Sequence, residues 1–253
     1  MKRATALFAA LSILLFSAAA FAEGFGEVKK EFSAEQVTTF GKGQSPFPMP
    51  GGQAMPTPGP RVTKVYMTKT CARWDEGTTS TVVRQDKKVV YIIDHAAKTY
   101  TEMAFDPKDL PAFLRDFEKA VDKKKLGSER AEGYACTKYQ ITVKMDQVMG
   151  EEMRRQMEAM AGAEGAQGEE MKRMMAQMNR DIVSTVWIAD SLGVPVKTVT
   201  DDGTTTILRN IVAAPQSPKL FMPPAGYKKT ESPGMPGQAG PPAGKKAKGK
   251  SGK

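Results

Sequence analysis

Histidine and cysteine are scarce in these 253 residues: there is one His, His95, and two Cys, Cys71 and Cys136. That scarcity excludes the Cys/His ligand sets of zinc sites, and no Cys-x-x-C pair offers redox chemistry. A Ser-His-Asp reading needs a nucleophile positioned beside His95, and no G-x-S-x-G elbow occurs. Asp94 precedes His95 in a turn, so a solvated turn residue is the stronger expectation. A glycine-rich phosphate loop is also missing. The adjacent carboxylates Asp75-Glu76 and Asp201-Asp202 fall in turns, where such pairs usually solubilise. The chain reads as non-catalytic, without a cofactor or a metal site.

Long hydrophobic runs are lacking as well, apart from one at the start. Lys2 and Arg3 precede a mostly Ala/Leu/Phe run from Ala4 to Ala19, and Ala20-Phe21-Ala22 forms a small-x-small site before Glu23. This is the pattern of a cleaved signal peptide spanning residues 1–22, too short to favour a retained anchor. The expected location is the periplasm. Two cysteines in an oxidising compartment then point to one Cys71–Cys136 disulfide. Such a bridge would close a loop of 65 residues, worth roughly 4 kcal/mol by chain entropy. Two unrelated buried thiols remain the alternative.

Charge of one sign is concentrated rather than spread. Of the net +9, two positive charges belong to the leader and six to Lys228–Lys253, which leaves +1 for residues 23–227. The high pI therefore describes a tail and not a basic face. Structured nucleic-acid surfaces interleave Arg and Lys with aromatics, and none is found, so no nucleic-acid partner is expected. Residues 231–253 are rich in Lys, Gly and Pro and are expected to be disordered. Their contact, if any, is with an anionic membrane surface.

Between these ends lies one domain, residues 23–230. Six Pro and four Gly in residues 43–60 preclude regular structure there and predict a long loop. From Arg61 the pattern is that of short strands with polar turns, including the apolar run Val89–Ile93, expected to be buried on both faces. Leu110, Phe113, Leu114, Phe117 and Val121 share a helical stripe. With Lys123–Lys125 near a C-terminal dipole and Gly127 as a stop, they predict a helix over 107–126. Strands resume at Tyr134–Lys144, where Cys136 falls on the face opposite Tyr139 and Ile141. Three more strands follow at Ile182–Asp190, Val194–Thr200 and Thr204–Ala213.

Nine of sixteen Met lie between Met145 and Met178. Met145, Met149, Met153, Met157 and Met160 form one helical stripe, and Met171, Met174, Met175 and Met178 form a second. A Met-lined helical hairpin over 147–180 is the result. Three readings stay open: a core face, an adaptable surface for an apolar ligand, or thioether binding of Cu(I). The ligand reading selects Met153, Met157, Met160, Met171, Met174 and Met178, with Trp187 as a further pocket residue.

The segment Val-Val-Tyr-Ile-Ile-Asp-His-Ala-Ala-Lys-Thr-Tyr-Thr-Glu-Met (89–103) resembles a hairpin of lipoprotein-carrier-like (LolA/LolB-like) exported proteins. Gly133–Tyr139, Trp187–Lys197 and Leu220–Tyr227 resemble further parts of the same superfamily, in a branch of uncharacterised exported domains. That resemblance spans residues 31–228. It implies an α+β fold, a curved antiparallel sheet forming an incomplete barrel covered by helices, able to hold acyl chains. The expected function is non-catalytic periplasmic binding of an apolar ligand, a lipid or an acylated partner, between sheet and helices. A structural envelope-interaction module without a ligand is the alternative, and a Cu(I)-handling protein a third.

Overall fold

The computed structural model describes residues 27–41, 59–104, 117–148, 155 and 180–230. β-Branched and aromatic residues dominate the described segments, as a pleated and half-buried surface demands. They form twelve strands: β1 Phe32–Thr39, β2 Arg61–Met67, β3 Cys71–Glu76, β4 Thr79–Arg84, β5 Val89–Asp94 and β6 Thr99–Ala104 in the first half. The second half contributes β7 Val121–Ala131, β8 Tyr134–Val143, β9 Ile182–Ala189, β10 Pro195–Thr200, β11 Thr205–Ala213 and β12 Lys228–Thr230. All belong to one sheet in the order β12-β6-β5-β4-β3-β2-β1-β11-β10-β9-β8-β7. Pairing is antiparallel throughout, except that β12 runs parallel to β6.

The fold is therefore not the α+β arrangement expected from the sequence. Among the described residues, helical geometry is limited to Met145–Val148, to single 3-10 turns, and to Arg155. No helical layer covers the described sheet. The expected helix over 107–126 is overturned in its C-terminal part, where Val121–Ala131 pairs with β8 along its whole length. Val121 faces Val143 in that register and packs with Tyr139 around buried Ile141, Val186 and Ile188. Long-range pairing thus outweighs the local helical spacing of Val121. Lys123–Lys125 are edge-strand cations, which discourage pairing with other chains. Lys123 Nζ lies 4.3 Å from the centroid of Tyr139. Gly127, expected as a helix stop, marks a β-bulge next to Lys125. Residues 107–116, the loop 43–58 and most of the hairpin 147–180 lie outside the described residues.

Alternate residues of the same strands enter different core clusters. In β3, Ala72 and Trp74 join the largest cluster while Cys71 joins a second; in β4 and β5, Val83 and Val90 join the first while Val82 and Ile93 join the second. That is the two-sided burial expected of Val89–Ile93. The second cluster is completed by Phe221, Leu220 and Tyr227 of the closing segment. In β9, Trp187 and Ala189 belong to the largest cluster and Val186 and Ile188 to a third.

The disulfide expectation also fails. Cys71 and Cys136 are free and buried, in separate clusters and on strands with five others between them in the sheet. Cys136 is 1% exposed rather than at the surface. Burial pushes both thiols above their ordinary pKa, the state of inert structural cysteines.

Candidate functional site

Two groups of polar side chains meet the apolar clusters, and they do different things. The first centres on His95. Ser80, fully buried, donates to Asp75 Oδ1 at 2.6 Å and accepts from Arg73 Nη2 at 3.0 Å. His95 Nε2 lies 2.7 Å from the same hydroxyl. Since the single Ser80 proton goes to Asp75, His95 Nε2 must carry hydrogen and donate. In the neutral imidazole, Nδ1 then accepts from the Tyr227 hydroxyl at 3.0 Å. Arg73 also donates to the carbonyl of Leu220 at 2.8 Å.

This order differs from that of a hydrolytic triad. There the carboxylate orients the histidine and the histidine takes the serine proton. Here the carboxylate takes the serine proton and the histidine donates. The network joins β3, β4 and the β5–β6 turn to the closing segment. His95 is thus not the solvated turn residue expected, and both ring nitrogens are engaged.

The second group surrounds Trp187, the one sequence-predicted ligand residue among the described residues. Trp187 is 8% exposed. The ammonium groups of Lys138 and Lys197 each lie 4.9 Å from its ring centroid, within cation–π range. Cross-strand register explains this: Lys138 on β8 and Lys197 on β10 are the direct partners of Trp187 on β9. The indole N–H donates to Glu129, and Lys138 Nζ is 3.3 Å from that carboxylate. The Trp187 hydrogen bond, with Lys138 and Lys197 nearby, holds the Glu129 carboxyl below its ordinary pKa. Spacing along the chain gave no sign of these partners, because each comes from a different strand.

Lys197 also lines a mainly apolar pocket on the largest cluster, with Phe32, Val65, Trp74, Ile207 and Leu208. Its enclosed space is about 30 Å³, room for one or two waters. Met153, Met157, Met160, Met171, Met174 and Met178 lie outside the described residues. Cys71 and Cys136 do not meet. No group of three or more His, Cys, Asp or Glu positioned for a metal occurs among the described residues.

Residues 59–227 match the family described as a domain of unknown function, DUF4412. The chain belongs to that family. The match covers every described strand except β1 and β12. No match is found among curated proteins. Among solved structures, an uncharacterized conserved protein from Thermus thermophilus is 9% identical with a TM-score of 0.42, over 88% of this chain and 99% of that one. The Mycobacterium tuberculosis lipoprotein LppX is 14% identical with a TM-score of 0.33, over 82% and 97%. PNGF-II is 9% identical with a TM-score of 0.37, over 80% of this chain, which spans 31% of that longer protein.

Proposed function

We propose that this DUF4412 chain is a non-catalytic, exported binding protein of the LolA/LolB-like type, which takes an apolar ligand, a lipid or an acylated protein, against its sheet. The observation that carries this reading is the mainly apolar pocket of the largest cluster, lined by Phe32, Val65, Trp74 and Leu208 and bordered by Lys197. Ligand sites commonly combine an apolar lining with a few polar groups that orient the ligand. Uptake of an acyl chain requires the cluster to open. Met67, which lines the same pocket, is the kind of unbranched side chain that can re-pack. The non-catalytic part is supported by His95, which donates to a serine whose own proton is directed at Asp75. Export to the periplasm is supported by the charge, apolar run and small-x-small order of Met1–Ala22.

The small enclosed volume favours a second reading, a structural envelope module whose core is already filled. Native mass spectrometry of the protein released from the periplasm of a Gram-negative host separates the two. The expected result is a chain beginning at Glu23 that carries an apolar adduct, whose removal lowers the melting temperature as ligand linkage requires. An adduct-free protein whose melting temperature does not rise with added fatty acid, fatty alcohol or phospholipid would leave the structural reading.

A further inference from the structure

Strand register places two cations beside Trp187 and a run of aliphatic side chains in line with them. Lys138 on β8 pairs with Trp187 on β9, and Trp187 pairs with Lys197 on β10. Lys197 pairs with Ile207 on β11, Ile207 with Val37 on β1, and Val37 with Val62 on β2. Directly paired residues share a face of the sheet. The six residues therefore form one row across six adjacent strands, about 24 Å long at normal strand spacing. One end is cationic and aromatic, and the other is aliphatic. Ile207 and Val37 are half-buried, and Val62 is 54% exposed.

The charges at the cationic end do not cancel. Glu129 is a single carboxylate facing two ammonium groups, and it is already engaged by the Trp187 N–H and Lys138. Lys197 and Ile207 border the pocket, while the row itself lies on the sheet face opposite the pocket residues Leu208 and Gln36, which are paired with each other and adjoin Ile207 and Val37 along β11 and β1. An ammonium held over an indole has its stem fixed by packing, so less rotamer freedom is lost when it meets an anion.

We propose that this row is the binding track for a single-chain amphiphile with an anionic head, a fatty acid in its simplest form. The head sits at Lys197 and Lys138 beside Trp187, and the chain runs over Ile207, Val37 and Val62. The proposal rests on the apolar-ligand reading above and adds to it the charge of the ligand, the residues that recognise the head, and the direction of the chain. Burying methylenes along the aliphatic end supplies affinity. The lysine pair supplies the choice of an anionic over a neutral head.

The test is titration calorimetry on the full chain with oleate, oleyl alcohol and inorganic phosphate at low and high salt. Oleate is expected to bind about tenfold more tightly than the alcohol at low salt, with the gap narrowing as salt rises. Phosphate alone should not compete. Lys197→Met and Lys138→Met, which keep apolar stems over the indole, should each remove most of the acid-over-alcohol preference and leave alcohol affinity within about twofold. Glu129→Gln should tighten oleate about threefold, because it removes the competing carboxylate; a merely structural ion pair would not tighten it. Should a variant fail to fold, the parent's acid-over-alcohol ratio and its salt dependence still decide the matter. Equal affinity for acid and alcohol overturns this inference while leaving the apolar-ligand reading intact. Binding of neither overturns both. A preference that survives in both lysine variants, or phosphate that displaces oleate, also overturns the proposal.

Discussion

Ser80 shows how one small side chain holds a large part of the molecule in place. Its hydroxyl donates once, to Asp75, and is the shared partner of Arg73 and His95. Removing it leaves an N–H of Arg73 and one of His95 without that acceptor in a site where Ser80 itself is fully buried. Ser80→Ala is expected to cost roughly 1–3 kcal/mol, the penalty for unsatisfied buried donors. Tyr227→Phe, which removes a single neutral hydrogen bond to His95 Nδ1, should cost about 0.5–1.5 kcal/mol. Urea denaturation of both variants at neutral pH checks the order. A Ser80→Ala cost below that of Tyr227→Phe would show that Arg73 and His95 find other partners. Reading His95 from its neighbours alone missed this network. Asp94 and the turn are local, whereas Ser80 and Tyr227 lie 15 and 132 residues away.

Between β9 and β10, the turn does more than reverse the chain. Leu192 is 1% exposed in the largest cluster, and its carbonyl accepts the Lys29 N–H at 2.9 Å. Lys29 Nζ reaches the carbonyl of Asp190 at 2.8 Å. The turn thereby anchors the segment that leads into β1. Gly193, at φ 77°, comes so close to the Glu27 carbonyl that an added Cβ would lie 1.9 Å from its oxygen. Gly193→Ala combines a left-handed backbone penalty of about 1–3 kcal/mol with that clash. Gly77→Ala, at φ 54° with open space around it, carries the backbone penalty alone. Thermal melts should show a markedly larger loss for Gly193→Ala, and equal losses would mean the Glu27 segment yields freely. At this scale much was legible. The strands expected from Arg61, at Ile182–Asp190 and at Thr204–Ala213 were legible, forming Arg61–Met67, Ile182–Ala189 and Thr205–Ala213, where β-branched runs end in turn residues. Val121–Ala131 was not, because its lysines satisfy a helix terminus as well as a sheet edge and only pairing with β8 decides between them.

Over the whole molecule, β1 is the strand that makes one sheet out of two runs of neighbours. It pairs with β2 on one side and with β11 on the other, joining Thr39 to Thr205 across more than half the chain. Hairpins such as β4–β5 announce themselves in the sequence; a closure of that length leaves no local trace. The aliphatic end of the Trp187 row depends on the same closure, since Val37 and Val62 join Ile207 only once β1 has docked against β11. Charge is arranged at this scale too. Residues 23–227 carry a net +1 while Lys228–Lys253 carry +6. Lys245, Lys246, Lys248, Lys250 and Lys253 are separated by Gly, Ala and Ser, a pattern with no amphipathic face. Attraction of that segment to an anionic surface must therefore be electrostatic, up to about 1 kcal/mol per lysine and less as salt rises. Deleting residues 231–253 is expected to weaken binding to phosphatidylglycerol-containing vesicles at least tenfold at low salt. It should leave the melting temperature and binding to neutral vesicles unchanged, and the difference should shrink as salt approaches physiological strength. Cosedimentation with vesicles of both compositions checks this. Unaltered binding to the anionic vesicles at low salt would mean that the nearly neutral domain, not the lysine-rich tail, makes the membrane contact.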